Sequence, residues 1–388
     1  MKPKIILISM SPYEDVIVRN HYFKDSFEKD GYQFEYWSIC KIVGFDYTIN
    51  ENSQTKYFTN INDVINALKE EKKPFWCNLQ ISLNKKLFPI FEAAVKYADL
   101  VYEIKYLEGS IAVMSPKNKL SKLDLLTNKL SPNKLIKSIK TKLFLIKYNR
   151  SKVKKSLIQF LPPNTEAKKD LEVHHFDYTI NQNEPMENVS KSDKFIVFLD
   201  QGLPSHPDFK HLERKNIDKD IYLEKMNLLF DVVENRLNIP IVIAAHPKSS
   251  YSVRDFNGRE IIKYHSASLS KNAEAVLFHY STAFNYAILN NKPLIGIIMD
   301  EFLNEKNQTG LHLNVKTTEH ICETFNAPLI NIDHDLDKIS ENLFFTVDDS
   351  KYENFKNNYL VSKANQDKSN YEIVKSYLEN NLDNLTMF

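Results

Sequence analysis

Three segments of this 388-residue chain end a short apolar run in side chains that can do chemistry. The first, FIVFLDQG over 195–202, runs into Asp200, Gln201 and then Gly202. A carboxylate at a strand tip can take a proton as general base or attack as a nucleophile; it can also simply cap the next turn. The second, IVIAAHPK over 241–248, ends in His246 and Lys248 on either side of Pro247. The proline biases His246 toward extended backbone, so the imidazole projects from the strand end. There it can protonate or hydrogen-bond a departing anion, with Lys248 as a nearby point charge. The third, AVLFHYSTAF over 275–284, carries His279, Ser281 and Thr282 into what reads as a helix start. Ser281 or Thr282 can serve as an N-cap alone, worth about 1 kcal/mol, or join the unpaired N–H groups there in holding an anion.

Such tips need strands that share a direction. Short apolar runs alternate with amphipathic segments along the whole chain, the pattern of strand-helix units around parallel sheets. Strands are predicted over 5–9, 34–38, 75–79 and 100–103, and again over 195–199, 241–245, 275–278, 294–298 and 329–332. Helices are predicted over 61–69, 86–98, 219–237, 283–290, 352–364 and 371–382. The fold class is α/β. An N-terminal Rossmann-like domain is expected over 1–185 and a second over 186–350, with closing helices over 351–388 that cross back to the first, by analogy with bilobed enzymes. Ligands of open parallel sheets bind beyond the carboxyl ends of the strands. Ten of the eleven histidines lie after Leu171, so the chemistry is assigned to the second domain.

Composition narrows the classes. Apolar residues make up 43% of the chain and aromatics 12%, enough for packed cores. With 51 basic and 50 acidic residues the net charge is +1, which gives no reason to expect a nucleic-acid partner. Charge is local instead: over 117–155 there are twelve lysines and Arg150 against one acid, Asp124, interleaved with leucines and isoleucines. This basic insertion, about 117–156, reads as a solvated helical face or as a peripheral contact with an anionic membrane. Cys40, Cys77 and Cys322 lie far apart, which suggests neither disulfides nor zinc, and no apolar run reaches the length of a membrane span. A cytoplasmic protein is expected. The HHFDY run over 174–178 is read as a linker strand, whose adjacent histidines would face opposite sides, and no metal site is predicted.

Acid, His-Pro, then Ser-Thr at three successive strand ends resembles the C-terminal domains of bacterial GT-B glycosyltransferases that use CMP-activated acidic sugars. These are the sialyltransferase-like and Kdo-transferase-like enzymes of capsule and lipopolysaccharide assembly. The resemblance spans about 195–300, and LDQGLPSHPD (199–208), VIAAHPK (242–248) and HYST (279–282) also look like segments of surface-carbohydrate biosynthesis proteins. It implies two Rossmann-like domains facing each other across a cleft, a CMP-sugar donor, a glycan or glycolipid acceptor, and neither metal nor other cofactor. It further implies a catalytic Asp200, His246 acting at the phosphate, and Ser281 and Thr282 holding the nucleotide phosphate. Lys248, His279, Ser266 and Ser268 are added as nucleotide candidates, and Gln201, Arg254 and Arg259 as candidates for a substrate carboxylate or phosphate. A similar arrangement occurs in CDP-glycerol phosphotransferases of teichoic acid synthesis, so a cytidine nucleotide is better supported than a sugar. A non-catalytic nucleotide-binding or scaffold protein and a two-domain epimerase are the other readings.

Overall fold

A computed structural model describes residues 2–44, 55–105, 132–165, 171–183, 189–205, 209, 214–304 and 308–385. Among these the chain divides into two units. The first runs from the N-terminus to Val173 and takes up the chain again at Ala364; the second is His174–Lys363.

The first unit is a wholly parallel sheet of β1 (Lys4–Ser9), β2 (Gln33–Ser38), β3 (Thr55–Tyr57), β4 (Phe75–Gln80), β5 (Leu100–Ile104), β6 (Leu157–Leu161) and β7 (Leu171–Glu172), in the order β3-β2-β1-β4-β5-β6-β7. Ile5 to Ile8 are all fully buried, which a parallel strand needs because helices cover both faces. Helix α1 (Ile61–Glu70) starts at Asn60, whose side chain accepts the Asp63 N–H, and buries Val64 and Leu68. Helix α2 (Phe88–Tyr97) packs Phe88, Ile90 and Phe91 into the same core. The basic stretch forms α3 (Pro132–Arg150) and α4 (Lys152–Ser156), while the part of that prediction over 117–131 lies outside the described residues.

The second sheet is also parallel: β8 (Ile196–Leu199), β9 (Ile241–Ala245), β10 (Glu260–Lys263), β11 (Ala275–Phe278), β12 (Leu294–Ile298) and β13 (Leu329–Asn331), ordered β10-β9-β8-β11-β12-β13. The run predicted as a linker strand is instead the start of α5 (Phe176–Asn183). His175 accepts the Asp177 N–H on Nδ1 at 3.2 Å and the Tyr178 N–H on its carbonyl at 3.1 Å, which closes the first helical turn. Its own N–H donates to Leu360 O, so this segment belongs to the second unit, which begins at His174 and not near 186. On one face lies α6 (Lys219–Leu237), capped by Asp218 and burying Tyr222, Met226, Phe230 and Val233. Helices α7 (Ser266–Asn272), α8 (Phe284–Leu289) and α9 (Leu311–Phe325) follow. Helix α9 comes so close to β12 that a Cβ on Gly296 would stand 2.4 Å from Cys322 Sγ.

Residues 351–363, predicted among the returning helices, stay in the second unit; only the chain from Ala364 rejoins the first. Its helix α10 (Asn370–Leu385) lies on the first sheet's flank. Tyr371 Oη donates to Asp30 Oδ2 at 2.6 Å, Tyr32 Oη donates to Glu379 Oε1 at 2.6 Å, and the Phe27 and Tyr371 rings meet edge to face at 4.9 Å.

Candidate active site at the ends of three strands

Strands β9, β8 and β11 are consecutive neighbours, and the chain reverses its winding direction between β8 and β11. Loops part at such a switch point and leave a crevice at the carboxyl ends. Leu199 pairs with Ala244 on one side and Phe278 on the other, which sets Asp200 level with Ala245 and His279. The three segments chosen from sequence therefore share one sheet edge.

Asp200 is only 6% exposed. Its Oδ1 accepts the Gly202 N–H at 2.9 Å and the Tyr251 hydroxyl at 3.2 Å, and its Oδ2 accepts the His246 N–H at 3.1 Å. Gly202 permits this turn with φ +62°, and a Cβ there would touch Ser249 Cβ at 3.4 Å and His246 Cβ at 3.5 Å. The carboxyl is thus folded inward as a tie between two loops. Burial raises its pKa to about 6, against the hydrogen bonds, which favour the charged form. An acid that changes charge near neutrality is suited to proton transfer.

His246 is half-buried at the tip of β9. The Ser249 N–H and hydroxyl both donate to its carbonyl, at 2.9 and 2.7 Å, and the Lys248 N–H donates to Nδ1 at 3.2 Å. With Nδ1 an acceptor, the neutral ring carries its proton on Nε2, a donor suited to an anionic oxygen. Lys248 itself is exposed beside it.

His279 differs from its prediction. It is 2% exposed, and its Nδ1 lies 2.9 Å from Ile297 O, which can only accept; Nε2 is left to accept the Tyr222 hydroxyl at 3.3 Å. Burial lowers its pKa to about 4, so it is a neutral core histidine packed against Phe198 and Phe302, with both nitrogens committed within the unit. The turn after it is also altered. Helix α8 starts at Phe284 with Ala283 as N-cap, and the half-buried Ser281 accepts the Ala283 N–H on Oγ at 3.2 Å. Thr282 is likewise half-buried, and its carbonyl accepts the Asn285 N–H. Gln201 and Tyr280 line a recess with Asn314 of α9, of about 10 Å³, room for one water and no nucleotide.

Of the remaining candidates, Arg259 is corrected outright. Its Nε and Nη2 donate to the two oxygens of Glu234 at 3.1 and 2.6 Å, Nη1 donates to Asn227, and Nη2 also reaches Asp231. The guanidinium braces β10 against α6 and its fork is spent inside the fold. Ser266 and Ser268 lie within α7, Ser266 half-buried and Ser268 fully buried. Arg254 is exposed on the 3₁₀ turn Val253–Phe256. Among the described residues no group of three His, Cys, Asp or Glu side chains is placed to hold a metal ion.

Sequence reading missed Tyr251 and Tyr222. Tyr251 lies five residues beyond His246 in a polar loop, and its signal is a large ring, edge to face with Phe256 at 4.9 Å, where only turn residues are needed. Tyr222 was hidden in the apolar stripe of α6.

The sequence has no significant match among protein-family models or curated proteins. As a structure the chain is similar to the wall teichoic acid polymerase TagF, at 12% identity and a TM-score of 0.49, over 99% of this chain and 90% of that one. It is also similar to the spinosyn forosaminyltransferase SpnP, at 10% identity and a TM-score of 0.41, over 92% and 90%. A Phytolacca americana UGT2 complexed with UDP-2fluoro-glucose and pterostilbene gives 10% identity and 0.41, over 98% and 99%. Likeness at this level assigns neither substrate nor reaction. The chain's own sheet topology gives two Rossmann-like parallel units, with Asp200 and His246 at the switch edge of the second.

Proposed function

We propose that this chain is a glycosyltransferase that moves an acidic, ulosonic-type sugar from a CMP-activated donor to a glycan or glycolipid hydroxyl. The observation that carries the reading is the direct union of Asp200 and His246 at one sheet edge, shared with the Ser281–Thr282 turn. In this scheme the donor phosphate lies on the Ser281 and Thr282 hydroxyls. The His246 Nε2–H and Lys248 stabilise charge as the bond from the anomeric carbon to the phosphate oxygen breaks and CMP leaves. The acceptor oxygen bonds to that carbon and its proton passes to Asp200, whose pKa of about 6 suits the task. His246 and Lys248 meet the charge of the departing phosphate, so turnover is expected to survive a chelator.

One observation favours a second reading. Asp200 has both oxygens engaged by protein donors and little exposure, while His246 is the more open group. If Asp200 only holds the loop, the chemistry becomes transfer of a phosphoalditol from a CDP-alditol: the acceptor oxygen bonds to the alditol-bearing phosphorus, CMP leaves toward the His246 Nε2–H, the acceptor's proton passes to solvent, and a phosphodiester remains in the product. A thermal-shift panel of CMP, CDP, UDP and GDP tests the nucleotide, since a ligand selective for the folded state raises the melting temperature. Product analysis with each donor class separates the two transfers. A response to uridine or guanosine nucleotides alone overturns both.

A further inference from the structure

We propose that α3 and α4 form a surface that docks on an anionic lipid bilayer. All of its residues lie in the first unit, so the inference stands apart from the reading of the strand-end site. From Pro132 to Ser156 there are eight lysines and Arg150 and no acid. Helix α3 turns Phe144 and Tyr148 inward, four residues apart, onto the Phe88 ring of α2 at 5.4 and 6.4 Å. At 3.6 residues per turn the opposite face is then fixed. It carries Leu143, Ile146 and Arg150 at i, i+3 and i+7, with Lys142 beside them.

Exposure agrees with this geometry. Leu143 is 61% exposed, Ile146 49% and Leu145 46%. Packing within the unit explains the inward stripe and not these three. A solvated charged face has no use for large aliphatic side chains, and a nucleic acid or acidic protein would be met by the lysines alone. Aliphatic groups surrounded by cations suit the boundary of a bilayer, where the apolar groups enter the acyl region and the long basic side chains reach the phosphates. Lys140, Lys142, Arg150, Lys152, Lys154 and Lys155 of the two helices are all exposed. Among the described residues, Lys147 of α3 pairs with Glu92 at 3.5 Å. Between α2 and α4 a groove of about 470 Å³ is lined by Glu92, Val95, Lys96, Ser151, Lys152 and Val153, and its two lysines can donate to a lipid phosphate.

The test is co-sedimentation of the full chain with phosphatidylcholine vesicles, with and without roughly one third phosphatidylglycerol. The chain is expected to pellet with the anionic vesicles only and to be released by high salt. L143S/I146S should weaken partitioning about tenfold or more, and K142E/R150E by about thirtyfold or more. All four side chains are exposed, so the melting temperature should stay near that of the parent, which each variant must satisfy to count. Three outcomes overturn the proposal: no pelleting, equal pelleting with neutral vesicles, or loss in the charge-reversed variant with none in the aliphatic one. The last would mark a face for acidic polymers in place of a bilayer.

Discussion

The main-chain N–H of His246 donates to Asp200 Oδ2 at 3.1 Å, so a carboxyl on one strand end holds the backbone of its neighbour. The same carboxyl takes donors from Gly202 and Tyr251 on its other oxygen. One side chain therefore sets the position of the imidazole without touching its ring, and several consequences can be measured.

Asp200 makes stability fall with rising pH. Its folded pKa of about 6 lies above the ordinary 3.8, so its contribution is fully present below 3.8 and is lost as pH rises through about 6. A two-unit shift corresponds to about 3 kcal/mol. Asp200→Asn has no such titration, so urea unfolding across this range should show the parent's advantage over the variant shrinking toward neutral pH. A constant difference would contradict the buried, protonatable carboxyl.

Tyr251→Phe keeps the ring contact with Phe256 and removes one donor from Asp200. The carboxylate form loses more than the acid form, so the pH midpoint should move up. A loss of about 1–2 kcal/mol above pH 7 is expected, with a smaller loss in acid. In a transfer assay the acidic limb of the pH profile, where Asp200 must lose its proton to act as base, should shift the same way.

Arg259→Leu leaves Glu234 and Asp231 without their guanidinium. Because Asp231 is half-exposed, the cost is expected at about 2 kcal/mol, below that of a fully buried pair. Nucleotide affinity should be unchanged in calorimetry. A selective loss of affinity would return Arg259 to the site.

Gly296→Ala forces a methyl toward Cys322 Sγ, Leu329 and Thr318. Two of these three contacts sit on α9 and the third on β13, both packed against β12, so a loss of about 1–3 kcal/mol is expected in chemical denaturation. Adding Cys322→Ala should recover part of it.

The buried strands were legible because a parallel sheet covered on both faces demands uninterrupted apolar runs; β9, β11 and β12 fall on the predicted residues. The four strands that escaped, β3, β6, β7 and β10, are short or lie toward sheet edges, where half-exposed residues such as those of Glu260–Lys263 show no such run. Helix α9 has Leu311, Val315, Thr318, Cys322 and Phe325 at alternating spacings of four and three, but a threonine and a cysteine blur the stripe. At the site, residue type and strand-end position selected Asp200 and His246. They could not tell which way a side chain turns. Asp200 faces inward because the Gly202 turn presents its N–H, and His279 is buried because Tyr222 and Ile297 O absorb its nitrogens. Partners distant in sequence, His246 and Tyr251 for Asp200 and Tyr222 and Ile297 for His279, join that local turn in deciding the orientation.

The return of α10 to the first unit reverses the usual order of assembly on the ribosome. The second unit is complete once Lys363 has emerged, with Ser362 N–H donating to His174 Nδ1 at 3.0 Å and so joining its two ends. The first unit, although begun earlier, waits for Tyr371 and Glu379 before Asp30 and Tyr32 find their partners. The later-encoded half can therefore finish first, and the earlier one is sealed only once Tyr371 and Glu379 have emerged.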